Sequence, residues 1–245
     1  MASSAVNVVT PLRALARRTA ESLQRYEDVA AIGLLGSVAR GNASADSDVD
    51  LLVVAEQHIR RSRLMRRLPP SLRDERLSPV CFSISRWQEE AERGALFLHH
   101  IRLEGEILYD PRGVLRMGMN AVAERPPDVD GEIQTQLRRL RLYRDLNRLN
   151  GQHLFALAHL YAIGKATAIA RCMEFGEGIF VKEDALQSVA TRRPILADAA
   201  GTIARLRPFY DLAGGRQPGS LPFAPVGAED EVRRALAAIE RLGSA

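Results

Sequence analysis

The stretch Leu34-Leu35-Gly36-Ser37-Val38-Ala39-Arg40-Gly41, followed after a short spacer by Ser47-Asp48-Val49-Asp50-Leu51-Leu52-Val53, decides how this chain is read. Val29 to Leu35 is a short apolar run ending at a glycine, which suits a buried strand better than a helix. A Gly-Ser pair that closes a strand and opens a helix leaves backbone N–H groups and a hydroxyl at a positive helix end. An anion can approach there without a side chain in the way. Asp48 to Ala55 reads as a second strand, whose period of two sends the carboxylates of Asp48 and Asp50 to one face while Val49 and Leu51 point into the core.

Two carboxylates completed by phosphate oxygens and water form the coordination set that Mg²⁺ prefers. Metal held by Asp48 and Asp50 against a nucleoside triphosphate would align an incoming hydroxyl with the α-phosphorus and neutralise the departing pyrophosphate, so the chemistry expected is nucleotidyl transfer. Each part alone is weak, because a lone Asp-x-Asp is more often a turn or a cap. Jointly, Gly36, Ser37, Arg40, Gly41, Ser47, Asp48 and Asp50 would recur by chance only about once in 10⁹ starts at average residue usage.

The segment resembles the signature of the DNA polymerase beta-like nucleotidyltransferase superfamily, especially its minimal bacterial members, which carry Gly-Ser, a following Ala-Arg-Gly and then Ser-Asp-x-Asp-Leu. The resemblance is specific over residues 32 to 54 and looser to about 110. It implies that Gly36 and Ser37 bind the nucleotide phosphates and that Asp48 and Asp50 hold Mg²⁺, with an NTP, ATP foremost, as donor. Arg40 is a candidate phosphate contact that could instead form a structural ion pair. Ser47 is placed to cap or orient the strand of Asp48 rather than to react. The family's third carboxylate falls on the strand that here reads Pro79-Val80-Cys81-Phe82-Ser83-Ile84-Ser85, which has no acid. Glu75, Glu104, Glu106 and the helical half of the chain are the possible substitutes. A proton-accepting group worth ~10²- to 10⁴-fold is therefore in question. The alternative expectation is a nucleotide-binding regulatory or antitoxin-like protein with weak or no turnover.

Outward from the motif, Thr10-Pro11 reads as a helix start, with Leu12, Leu15, Ala16, Thr19, Ala20, Leu23 and Tyr26 at helical spacing. Gln57 to Leu68 is polar and holds Arg60, Arg61, Arg63, Arg66 and Arg67; its plain reading is a solvated face, its alternative a nucleic-acid contact. Leu77 to Ser85 alternates Val80, Phe82 and Ile84 against Pro79, Cys81 and Ser83, a strand with one buried face. Ser85 and Gln88 form a capping-box pattern ahead of a short helix through Trp87 and Ala91. Phe97 to Leu103 continues helically, and Gly105 to Tyr109 reads as a strand. The order predicts an α/β (α+β) fold: a mixed-sheet domain over residues 1–112, a linker over 113–130, and an all-helical C-terminal domain over 131–245. Its helices are expected over Ile133–Leu149, Leu154–Met173, Glu183–Ala190, Ile195–Leu206 and Asp230–Leu242, with a Gly/Pro-rich loop from Gly214 to Gly227.

Composition narrows the function classes. With 46% hydrophobic and 26% charged residues the 245-residue chain is ordinary for a globular protein. No apolar run reaches the ~20 residues of a membrane span, and no secretory signal pattern opens the chain, so a cytoplasmic location and no membrane partner are expected. Cys81 and Cys172 alone exclude a disulfide framework and a thiolate zinc site. Of 34 basic residues only Lys165 and Lys182 are lysines, which favours forked phosphate contacts over lysine nucleophiles.

Other signals carry less. Gly164-Lys165-Ala166-Thr167 lacks the upstream glycine of a phosphate loop. Arg148 with His153, and Arg93 with His99 and His100, match an Arg-x4-6-His ribonuclease pattern at the frequency expected by accident. His99-His100 reads as a packed or surface pair and Trp87 as a packing anchor. Ser37 lacks the flanking glycines of a hydrolase elbow. The acceptor (small molecule, RNA end or protein hydroxyl), expected between the two domains, and the oligomeric state are not readable from these residues.

Overall fold

A computed structural model describes residues 2–44, 47–178, 182–214 and 228–244. The chain divides into two compact units, residues 1–127 and 128–245.

The first unit is built on a mixed four-stranded sheet in the order β3-β2-β1-β4. β1 (Val29–Leu35) and β2 (Val49–Ala55) are its antiparallel centre, and β1 is buried along its whole length. Near-continuous Val, Ile, Leu and Ala runs are what strands covered on both faces require. β3 (Leu77–Ser83) runs parallel to β2, which requires a crossover, and β4 (Glu106–Tyr109) pairs antiparallel with β1. The crossover is α3 (Arg61–Arg67) followed by a 3₁₀ turn at Pro70–Leu72. On one face of the sheet Ile32, Leu34, Leu51 and Val53 pack with Leu12, Leu15 and Leu23 of α1 (Ala2–Leu23) and with Leu64 of α3. On the other, Ala31, Leu35, Leu52 and Val54 pack with Trp87 of α4 (Ile84–Arg93), Leu98 and Ile101 of α5 (Leu96–Glu104), and Leu115 and Val122 of α6 (Val114–Ala123).

Several expectations shift. α1 begins at Ala2 and contains Pro11 rather than starting at it, giving up the one backbone hydrogen bond Pro11 cannot donate. The cap of α4 is Ser83, whose hydroxyl accepts from the Arg86 N–H at 3.2 Å, so β3 ends two residues earlier than its alternation suggested and Ser85 lies inside the helix. The alternation itself is inverted at Val80, which is 38% exposed while Pro79 is buried, because β3 is an edge strand whose Pro79 side is covered. Residues 113–130 are not a plain connector: α6 occupies Val114–Ala123 and buries Val114, Leu115 and Val122.

The second unit is helical: α7 (Val129–Arg139), α8 (His153–Glu174), α9 (Lys182–Arg192), α10 (Ala197–Ala204), α11 (Arg207–Ala213) and α12 (Ala228–Ser244). Its core gathers Leu157, Leu160, Tyr161 and Ala168 of α8 with Ile203, Phe209, Val232 and Ile239. The helix expected over Ile133–Leu149 stops at Arg139 and breaks into two 3₁₀ turns, Leu140–Leu142 and Leu146–Leu149. α11 extends helical structure beyond Leu206, where none was expected. Most of the loop expected over Gly214–Gly227 lies outside the described residues. Among the described residues no helix is long and apolar enough to cross a membrane.

Candidate active site

The C-terminal end of β1 and the N-terminal end of β2 share one edge of the sheet, since the strands are antiparallel and Leu35 lies opposite Asp50. That pairing brings the two halves of the motif together although a spacer separates them in sequence. Gly36 turns the chain with φ +69 directly into α2 (Gly36–Arg40). A Cβ at Gly36 would fall well inside van der Waals contact of the Asp50 Oδ2. Glycine is therefore required twice, for the left-handed backbone and for the space the carboxylate occupies. Ser37 follows, half-buried, and Gly41 ends α2 in a left-handed cap with φ 80.

Asp50 has the parity of Leu52 and Val54, so it belongs to the face covered by α4, α5 and α6, and Asp48, two residues earlier, has the same parity. Asp48 is exposed just ahead of the strand, and Asp50 is half-buried. The chain at Asp48 is held from both sides. Val49 N–H donates to the Arg76 carbonyl at 2.8 Å, and Ser47 closes a turn with Ser44, its hydroxyl accepting from the Ser44 N–H at 2.9 Å. Two hard carboxylates beside an open glycine turn suit a small divalent cation that retains water and phosphate ligands. Among the described residues no group of three or more His, Cys, Asp or Glu is placed to hold a metal.

The remaining carboxylates have other partners. On β3 the residue paired with Asp50 is Ser78, and the next on that face, opposite Leu52, is Val80. Glu104, at the end of α5, accepts from Arg40 Nη1 at 2.5 Å and contacts His100 Nε2 at 3.1 Å. Glu106 pairs with Arg13 and Arg17 of α1, both at 3.5 Å. It thus belongs to the sheet face opposite Asp50. Glu75 is exposed in the turn before β3.

α2 is clamped from two sides. Arg13 of α1 donates from Nε to the Val38 carbonyl at 3.2 Å and from Nη2 to the Ala39 carbonyl at 2.7 Å. Arg40 is anchored to Glu104, with its Nε buried and unpartnered. The Arg13 contacts were not foreseen; a lone arginine at helical spacing 25 residues upstream carries no local signal of them. The juxtaposition of Gly36 with Asp50, by contrast, is legible in the sequence because it follows from local spacing on two adjacent strands. Of the other histidines, His99 is 6% exposed with Nε2 unpartnered, and burial, aided by Arg102, lowers its pKa. Arg148 pairs with Asp145 at 3.0 Å, whereas His153 faces Glu229 at 3.7 Å, so each has its own partner.

Residues 16–104 match the family model described as the nucleotidyltransferase domain, a span that runs from α1 to the end of α5 and includes the whole Gly-Ser and Asp-x-Asp edge. No curated protein matches the chain.

Proposed function

We propose that this nucleotidyltransferase domain moves a nucleoside monophosphate from an NTP, ATP foremost, onto a hydroxyl acceptor at the edge shared by β1 and β2. The observation that carries the reading is the register that seats Asp50 against a glycine with positive φ, two residues from Asp48 on the same strand face. Asp48 and Asp50 would hold Mg²⁺, which when bound supplies charge neutralisation on the triphosphate and on the leaving pyrophosphate. Gly36 and Ser37 present backbone N–H groups and a hydroxyl to the phosphates, with no side chain at Gly36 to block their approach. Ser47 orients the chain entering Asp48. Arg40 works through Glu104, and Arg13 through the carbonyls of Val38 and Ala39, to hold α2 at the angle the phosphates need.

A second reading is favoured by one observation. The strand next to β2 offers Ser78 and Val80 where a third carboxylate would stand. A site with two acids binds a nucleotide but has no group on β3 to take the acceptor proton, which is the design of a regulatory or antitoxin-like protein with little turnover.

Incubation with each α-labelled NTP and Mg²⁺, followed by separation of protein, RNA and small-molecule fractions, distinguishes the two. Label transfer that falls by about 10³-fold in Asp48→Ala, the rate equivalent of several kcal/mol, is the expected result for the enzyme. Saturable, Mg²⁺-dependent NTP binding without transfer would establish the regulator. Absence of both transfer and binding would refute the assignment of the site.

A further inference from the structure

The crossover between β2 and β3 carries a charge that the proposed reaction does not use. From Gln57 to Arg73 the sequence holds Arg60, Arg61, Arg63, Arg66, Arg67, Arg73 and His58, and no Asp or Glu. Three of the arginines are employed inside the fold. Arg67 grips both oxygens of Asp28 at 2.8 Å and lies over the Tyr26 ring at 4.8 Å. Arg61 donates to the Leu77 carbonyl at 2.8 Å. Arg73 ties down the end of α3, donating to the Leu68 carbonyl at 2.9 Å and the Arg66 carbonyl at 3.0 Å. These bonds make α3 a fixed platform.

Arg60, Arg63 and Arg66 are different. All are exposed: Arg60 is the extended N-cap of α3, and Arg63 and Arg66, three residues apart, lie with Ser62 on the outward side of the helix, away from buried Leu64. Asp28, whose carboxyl is held below its ordinary range by Arg67 and to a lesser degree by Arg63, is already engaged by the Arg67 fork. The outer side is therefore a stripe of cations uncompensated by any acid of its own segment. It also leads to the candidate site, because α3 and its 3₁₀ turn return the chain to the edge where Val49 bonds Arg76.

We propose that α3 and its N-cap, through Arg60, Arg63 and Arg66, form a binding surface for the phosphodiester backbone of a nucleic acid strand. Forked guanidinium donors match phosphate oxygens in pairs, and a row of them matches a polymer with one charge at every residue. A lipid surface fits less well: the outward residues of the helix are Ser62, Arg63 and Arg66, with no apolar side chain to insert. The face reads charge and not sequence, since guanidinium contacts to phosphate position a strand without reading its bases.

Fluorescence anisotropy of the full chain tests this with labelled single-stranded RNA and DNA of one sequence across a salt series. The expected result is binding that weakens steeply with salt. In Arg63→Gln/Arg66→Gln the log–log slope should fall by ~1.4, two phosphate contacts at about 0.7 each, which amounts to roughly 25-fold weaker binding at about 0.1 M salt. Melting should be little changed, because among the described residues neither guanidinium makes a hydrogen bond or ion pair. The Asp48→Ala variant should keep the full slope, which separates this surface from the nucleotide site. Comparing RNA with DNA shows whether the 2′-hydroxyl contributes; equal affinities support pure backbone contact, and a preference for either still requires the slope change. An unaltered slope in the double variant would overturn the proposal. So would arginine-dependent binding to phosphatidylserine vesicles or polyglutamate with none to either nucleic acid.

Discussion

Gly36 is the residue at which backbone geometry and charge meet. Its φ of +69 is costly for any residue with a side chain, and its missing Cβ is the space that Asp50 fills. Gly36→Ala should therefore cost about 1–3 kcal/mol in urea unfolding and also push the Asp50 carboxylate off the turn. NTP affinity should fall along with stability, whereas Gly41→Ala, where a Cβ meets nothing within 4 Å, should cost stability through its positive φ and leave NTP affinity intact. Equal NTP affinity in wild type and Gly36→Ala, by equilibrium dialysis, would dissociate the glycine from the site. His99 sets a different expectation. Burial and Arg102 hold its folded pKa below the ordinary value of about 6.5, so the native ring stays neutral after the unfolded one has begun to take up a proton. Its contribution is then complete above about pH 6.5 and is lost progressively as pH falls towards the folded value. His99→Leu should flatten that part of the stability curve, as urea midpoints across the acid range would show.

Between elements, the side chain that decides packing in the first unit is Trp87, fully buried on α4 with its Nε1 donating to the Val114 carbonyl at 3.0 Å. α6 approaches it through Gly118, where a Cβ would overlap the Nε1 edge of the indole. Gly118→Ala should thus destabilise by roughly 1–3 kcal/mol despite the better helix propensity of alanine, because overpacking exceeds the gain of up to ~1 kcal/mol. Emission from Trp87, the only tryptophan, is the direct readout. This contact also marks what the sequence could not reveal. The strands and the glycine turn were legible because period, apolar runs and the spacing of Gly36, Asp48 and Asp50 are local properties. α6 was not, because Gly113, Gly118 and the Pro-rich stretch after it look like a linker until Trp87 is seen to need a glycine opposite. Val80 is a similar case: it shares the parity of Phe82, which packs edge-on to Trp87 at 6.0 Å, but on this edge strand the covering helices leave Val80 exposed, and alternation does not tell how far along a strand that cover extends. Ser83 and Ser85 compete as caps, and only the end of the β2–β3 pairing at Ser83 chooses between them.

At the scale of the whole chain, each unit possesses what a folding domain needs. Residues 1–127 enclose the two apolar layers on either side of the sheet, and residues 128–245 enclose a separate core around α8. The second unit is also closed at its end by Arg171, 6% exposed, whose guanidinium donates to the carbonyls of Leu242 at 2.9 Å and Gly243 at 3.0 Å while holding Glu174 at 2.9 Å. A chain ending at Pro127 should accordingly fold by itself, with the emission of Trp87 and its urea midpoint close to those of the full protein. Because the Gly36, Asp48 and Asp50 edge lies wholly within that fragment, it should also keep Mg²⁺-dependent NTP binding. Loss of transfer with retained binding would assign acceptor recognition to the helical unit, and a fragment that fails to fold would show that the sheet depends on residues beyond 127. Arg171→Met in the full chain provides the converse measurement. It strands two buried carbonyls and should lower the stability of the helical unit by about 1–3 kcal/mol per group left unpaired, with Trp87 emission unmoved at denaturant concentrations where far-ultraviolet circular dichroism has already begun to fall.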